Sequence, residues 1–154
     1  MNTIRLSQEN FKILMEEKGI DDNTVRSSKD YFICINATGA KHSIPYFTQN
    51  HNNVINLYFD DVETSGPKEI EWLNGTTKII DAVAMNQDQA NELSNFIDNI
   101  IPGSDVYIYC AKGVSRSGAV EQYIRSLNSH VLEESSGINN HVYKLLRQIK
   151  DARL

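Results

Sequence analysis

The chain has 154 residues, 40% hydrophobic and 23% charged, with a formal net charge of −5. That length suits one domain, 1–154, with a single sizeable core, and the acidic balance gives no general attraction to nucleic acid or to an anionic membrane. No stretch reaches membrane-spanning length and "MNTIRLSQEN" lacks a signal-peptide core, so neither membrane insertion nor secretion is expected.

Two cysteines, Cys34 and Cys110, make neither a disulfide framework nor a metal cluster. The expected setting is a reducing cytosol, the cell's own or a host's, where a free thiol can do chemistry. Ser7 stands where it can cap a first helix running to about Lys18, with Phe11, Leu14 and Met15 on one face, and Gly19 can stop it. Residues 1–30 read as a helical extension, a lid or part of a dimer contact. "YFICIN" (31–36) is short, apolar and β-branched, which predicts a buried strand, and "NVINLYF" (53–59) predicts another. "DDVETSGPKE" (60–69) is a loop by composition. "TKIIDAVAM" (77–85) predicts a short strand or an extended connection.

From Gln87 to Ile100, Ala90, Leu93, Phe96, Ile97 and Ile100 recur at helical spacing. "IPGSD" breaks that helix and "VYIYC" follows as a strand. Beyond Arg116, Ala119, Val120, Tyr123, Ile124 and Leu127 share one helical face. A last helix carries Val142, Leu145, Leu146 and Ile149, with Asn140 as its expected cap. Strands alternating with helices predict an α/β fold, a central, mostly parallel sheet flanked by helices. Ligands of such sheets sit at the carboxyl ends of strands, next to helix N-termini. Cys110 is at such an end.

The stretch "YCAKGVSRSGAV" (109–120) therefore reads as a strand, a tight loop and a helix. An ordinary thiol is mostly protonated at neutral pH, but a helix N-terminus and a nearby cation lower its pKa, and thiolate is the nucleophilic form. The backbone N–H groups of Ala111, Lys112, Gly113, Val114, Ser115 and Arg116 can converge on one point and bind a tetrahedral oxyanion, helped by the helix dipole. Gly113 permits a backbone that a side chain would hinder. Arg116 can grip two phosphate oxygens bidentately, and Ser117 can donate a hydrogen bond to the sulfur. Lys112 can attract a substrate, although a solvated loop lysine is the plainer reading.

A thiolate in such a cradle implies phosphoryl transfer through a phosphocysteine, with one carboxylic acid serving first as acid and then as base. "LYFDDVETSG" offers Asp60 and Asp61 after another strand's carboxyl end. A bare Cys-x5-Arg spacing is weak; the added glycine, serine, strand and helix make the pattern specific. Cys34 lies in a predicted core strand, where burial is the default, and a reversible disulfide with Cys110 is the alternative. His42, His51, His130 and His141 show no ligand spacing and read as surface or loop residues.

"YCAKGVSRS" (109–117) resembles the signature His-Cys-x-x-Gly-x-x-Arg-Ser/Thr of the cysteine-dependent protein tyrosine phosphatase superfamily, in its compact dual-specificity-phosphatase-like branch. The likeness runs over approximately 30–150, through "FICIN", "LYFDDV" and the helices around the signature. It implies a phosphotyrosine-phosphatase-like fold, Cys110 as nucleophile, Arg116 as phosphate ligand, Ser117 as thiolate partner and Asp61, rather than Asp60, as general acid. It implies no metal and no cofactor, a phosphorylated protein as partner and hydrolysis of phosphotyrosine, with phosphoserine and phosphothreonine as further substrates. Related loops act on phosphoinositides or RNA 5′-triphosphates, or bind phosphate without turnover. One position departs: Tyr109 stands where the family has histidine, which helps to fix the loop and lower the thiol pKa.

Overall fold

The computed structural model describes residues 2–39, 44–71, 74–127 and 137–153. In chain order the elements are β1 (Asn2–Ser7), α1 (Gln8–Lys18), a short 3-10 turn (Val25–Ser27), β2 (Tyr31–Asn36), β3 (Val54–Tyr58), β4 (Gly66–Glu71), β5 (Thr77–Ala82), α2 (Gln87–Asp98), β6 (Asp105–Cys110), α3 (Ser115–Ser126) and α4 (Asn140–Ala152). The apolar runs of β2 and β6 put these two strands in the interior of a four-stranded sheet ordered β1-β6-β2-β3, parallel at every pairing. Both are buried from their second residue onward, as strands covered on two faces must be. The α/β architecture with a parallel sheet is as the sequence predicts.

The two faces have separate cores. Ile33, Ile35, Ile108 and Cys110 join residues of α2, α3 and α4 in the larger one. Phe32, Cys34, Tyr107 and Tyr109 join Phe11 and Met15 of α1 in the smaller one. Successive side chains of a strand point to opposite faces, so Cys110 and Tyr109 part company although they are adjacent. Cys34 is the register partner of Tyr109 and shares its face.

Ser7 caps α1 through Asn10 N–H, and Gly19 closes it in the left-handed conformation, both as predicted. Other elements differ from the sequence reading. Residues 2–7, ahead of the expected helix, form a strand that the sequence reading did not include, registered on β6 from Asn2↔Asp105 to Ser7↔Cys110. An edge strand buries little, so "NTIRLS" carries no apolar run to announce it. Residues 66–71 are not loop but strand, paired antiparallel with β5. The cap of α4 is Asn139, one residue before the expected Asn140, with Oδ1 accepting from Val142 N–H at 3.2 Å.

His51 is buried rather than a surface residue. Its Nδ1 accepts from Arg26 Nε at 3.3 Å, so Nε2 donates to Asp22 Oδ1 at 2.8 Å. His141 is half-buried and donates to Met85 O at 2.8 Å. His42 and His130 lie outside the described residues. Among the described residues, no helix is long and apolar enough to cross a membrane.

Candidate active site

β6 ends at Cys110 and α3 begins at Ser115, so the chain must turn within Ala111–Val114. Gly113 makes the turn at φ 73°, in the left-handed region. A Cβ there would stand 2.5 Å from the Leu6 carbonyl carbon and the Ser7 nitrogen. The loop thus leans on the end of β1, which leaves no room for any other residue. Gln8 N–H donates to Ala111 O at 3.4 Å and Arg5 Nη1 to Val114 O at 3.3 Å, so β1 and α1 hold the loop from behind.

Cys110 is 2% exposed, and its Sγ lies 3.2 Å from Ser117 Oγ, itself fully buried. Burial alone pushes this thiol up. Hydrogen bonds from the Ser117 hydroxyl and N–H, the charge of Arg116 and the Gly113 N–H outweigh it, and Cys110 is held below the ordinary thiol value.

Arg116 is 6% exposed, and Nη1 donates to Phe59 O at 2.8 Å. Its Nε is buried with no partner among the described residues. Leaving such a donor unmet costs about 1–3 kcal/mol, more on a charged group; an oxyanion seated in the loop would meet it. Lys112 and Val114 are exposed on the loop's outer side, Ala111 is exposed, and Ser115 is half-buried.

The two aspartates differ in kind. Asp60 is buried; Oδ1 accepts from Thr38 N–H at 3.0 Å, and Oδ2 from Thr38 Oγ1 at 2.6 Å and Val83 N–H at 2.8 Å. Burial pushes its carboxyl up, but these bonds and the Arg116 charge prevail and hold it below the usual carboxylate value. It is a fixed acceptor that ties three loops together. Asp61 is exposed, and its Oδ1 accepts from Ser115 Oγ at 2.8 Å and Asn139 Nδ2 at 3.0 Å. Of the pair, Asp61 is the one hydrogen-bonded to the Cys110–Arg116 loop, through Ser115.

Asn139 escaped the sequence reading as a site residue. It donates to Asp61 Oδ1 and to Val62 O (3.3 Å), caps α4 through its Oδ1, and its N–H donates to Ser115 O at 3.1 Å. Helix capping was legible in "INNH"; a contact with a loop 78 residues away has no sequence signal.

Tyr109 does not enter the loop. It is fully buried on the α1 face, its ring centroid 4.6 Å from that of Phe11, and its hydroxyl donates to Asn36 Oδ1. Burial pushes both the Tyr109 phenol and the Cys34 thiol up. Cys34 and Cys110 are free and lie on opposite faces of the sheet, so the alternative of a disulfide between them fails on geometry. Among the described residues no group of three or more His, Cys, Asp or Glu side chains could hold a metal ion.

In comparisons with known proteins, no family model, no curated protein and no solved structure matches the chain.

Proposed function

We propose that this chain is a cysteine-dependent phosphatase of the dual-specificity-like kind that hydrolyses phosphate monoesters, with phosphotyrosine in proteins as its substrate. The observation that carries the reading is the pairing of a depressed, buried thiol at Cys110 with an Arg116 Nε that is buried and unpartnered beside it. A thiol alone could be core filling; a thiol next to a cation with an unmet donor fits an anion that reacts there.

In the first step the Cys110 thiolate attacks phosphorus, the ester P–O bond breaks, and the leaving oxygen takes the proton of Asp61. Arg116 and the loop N–H groups hold the phosphoryl oxygens as charge develops. In the second step Asp61 takes a proton from water, the water oxygen attacks phosphorus, and the S–P bond breaks. Ser117 donates to the departing sulfur, inorganic phosphate leaves, and the thiolate is restored.

The test is hydrolysis of p-nitrophenyl phosphate in chelator and reductant, wild type against Cys110→Ser, across the acid to neutral range. Turnover lost in the variant, with inorganic phosphate still bound, supports the reading. A wild type that binds vanadate without hydrolysing any aryl phosphate overturns it in favour of a phosphate-binding module.

A further inference from the structure

The β4–β5 hairpin has no part in the chemistry above, yet it begins at Gly66, five residues after Asp61. Its base is pinned to the acid loop. Asp60 N–H donates to Val83 O at 2.6 Å, Val83 N–H to Asp60 Oδ2 at 2.8 Å, and Ala84 N–H to Ser65 Oγ at 3.0 Å. Beyond that base the two strands pair only with each other, and among the described residues no helix or strand of the main sheet makes an extensive contact with them.

The register sorts the hairpin's side chains into two faces. Gly66, Lys68 and Ile70 stand opposite Ala82, Ile80 and Lys78 on one face, where both lysines lie, Ala82 is buried, and Lys68 Nζ donates to Thr64 Oγ1 at 3.0 Å. Pro67, Glu69 and Glu71 stand opposite Asp81, Ile79 and Thr77 on the other, where every residue is exposed. That outer face has three carboxylates, no cation, and an isoleucine 72% exposed at its centre. A two-stranded hairpin is marginal in water, and like charges on one face weaken it further. An apolar centre ringed by unneutralised carboxylates is the complement of a cationic, partly apolar segment, and it repels nucleic acid and anionic lipid.

We propose that this outer face docks a basic segment of the protein substrate, with Ile79 receiving an apolar side chain and Glu69, Glu71 and Asp81 receiving lysines or arginines. The proposal rests on the phosphatase reading of the Cys110 loop and names its substrate class. Ile79 lies four residues along β5 from Val83, about 13 Å at ~3.3 Å per residue. An extended peptide crossing the acid loop beside Val83 reaches Ile79 about four residues further on, so a test peptide carries its basic segment roughly four to eight residues from the phosphoresidue.

The experiment compares two phosphotyrosine peptides, one with arginines and a leucine at that distance and one with glutamates, beside p-nitrophenyl phosphate as a probe blind to the hairpin. Wild type is expected to favour the basic peptide about tenfold in kcat/KM, mostly through KM, and to lose the preference as salt rises from about 0.05 to 0.5 M. The double variant Glu69→Lys, Asp81→Lys, and separately Ile79→Ser, should lower kcat/KM on the basic peptide about tenfold and leave p-nitrophenyl phosphate unchanged. Equal rates on the two peptides in wild type, or a preference that survives the double variant, overturn the docking surface. Absence of p-nitrophenyl phosphate hydrolysis in wild type overturns the phosphatase reading instead.

Discussion

Ser115 Oγ donates a 2.8 Å hydrogen bond to Asp61 Oδ1, joining the residue before Arg116 to the loop that follows β3. The bond spans 54 residues of sequence and brings a carboxyl group to the rim of the Cys110 loop. Asp60, the residue before it, is buried and committed to Thr38 and Val83.

Substituting the two aspartates should therefore produce different losses. Asp61→Ala is expected to lower kcat/KM about 10²–10³-fold on phenyl phosphate, whose leaving group needs a proton, and much less on p-nitrophenyl phosphate. Asp60→Ala is expected to act on folding, since it orphans the Thr38 and Val83 N–H groups at about 1–3 kcal/mol each. A plot of log kcat/KM against leaving-group pKa, together with urea midpoints, separates them. A steep leaving-group dependence in Asp60→Ala with none in Asp61→Ala would move the acid by one residue. The pH dependence of stability carries the same sign. Asp60 has a depressed pKa in the fold, so its contribution is present above 3.8, the unfolded value, and is lost as pH falls through the lower folded one.

Asn139 holds the same carboxylate oxygen from α4, and its two duties can be pulled apart. Asn139→Ser keeps a side-chain oxygen for the helix cap but is too short to reach Asp61. The expected result is a melting temperature near wild type with kcat/KM on phenyl phosphate reduced about three- to tenfold, and little change on p-nitrophenyl phosphate. Asn139→Ala should lose the cap as well, at about 1 kcal/mol. Turnover unchanged in both variants would reduce Asn139 to a capping residue.

How much of this was legible follows from what each element buries. β2, β3, β6, α2 and α3 carry apolar patterns strong enough to be read, and Cys110, Gly113, Arg116 and Ser117 form a local motif that needs no tertiary contact to be recognised. β1 was not legible because an edge strand takes its stability from pairing with β6, while its side chains are spent on contacts such as Thr3 to Glu121 (2.9 Å) and Arg5 to Glu121 (3.1 Å). β4 hid behind Gly66 and Pro67, which read as turn residues but stand at the first two positions of the strand. The choice between Asp60 and Asp61 rests on which one turns inward. Strand alternation cannot supply that in a loop, so the partners Thr38, Val83, Ser115 and Asn139 had to be seen.

The depressed thiol of Cys110 owes its direction most to the Ser117 hydroxyl, the largest favourable influence set against burial. Ser117→Ala removes that donor, so the Cys110 pKa should rise. At a fixed pH below both values the thiolate fraction then falls tenfold for each unit of rise. Iodoacetamide alkylation of Cys110 followed across pH reads this directly, because Cys34, pushed up by burial, stays silent. Wild type should alkylate with an inflection below the ordinary thiol range, and Ser117→Ala with a higher one. Coincident profiles would assign the depression to Arg116 and the loop N–H groups instead.

Oxidation offers a check on the sheet itself. A depressed thiolate is open to peroxide, which takes it to a sulfenic acid, and a nearby second thiol would then close a disulfide with loss of water. Cys34 is the only other cysteine, and it faces α1 while Cys110 faces the α2–α4 side. The backbone of β6 and β2 stands between them, so the sulfurs cannot approach the ~2.05 Å of a disulfide without dismantling the sheet. Peroxide should therefore inactivate wild type and Cys34→Ser at the same rate. Peptide mapping of the oxidised protein should show added oxygen at Cys110 and no peptide joining Cys34 to Cys110. A 34–110 crosslink, or slower recovery by thiols in Cys34→Ser, would mean that the two faces exchange and that Cys34 serves as a resolving thiol.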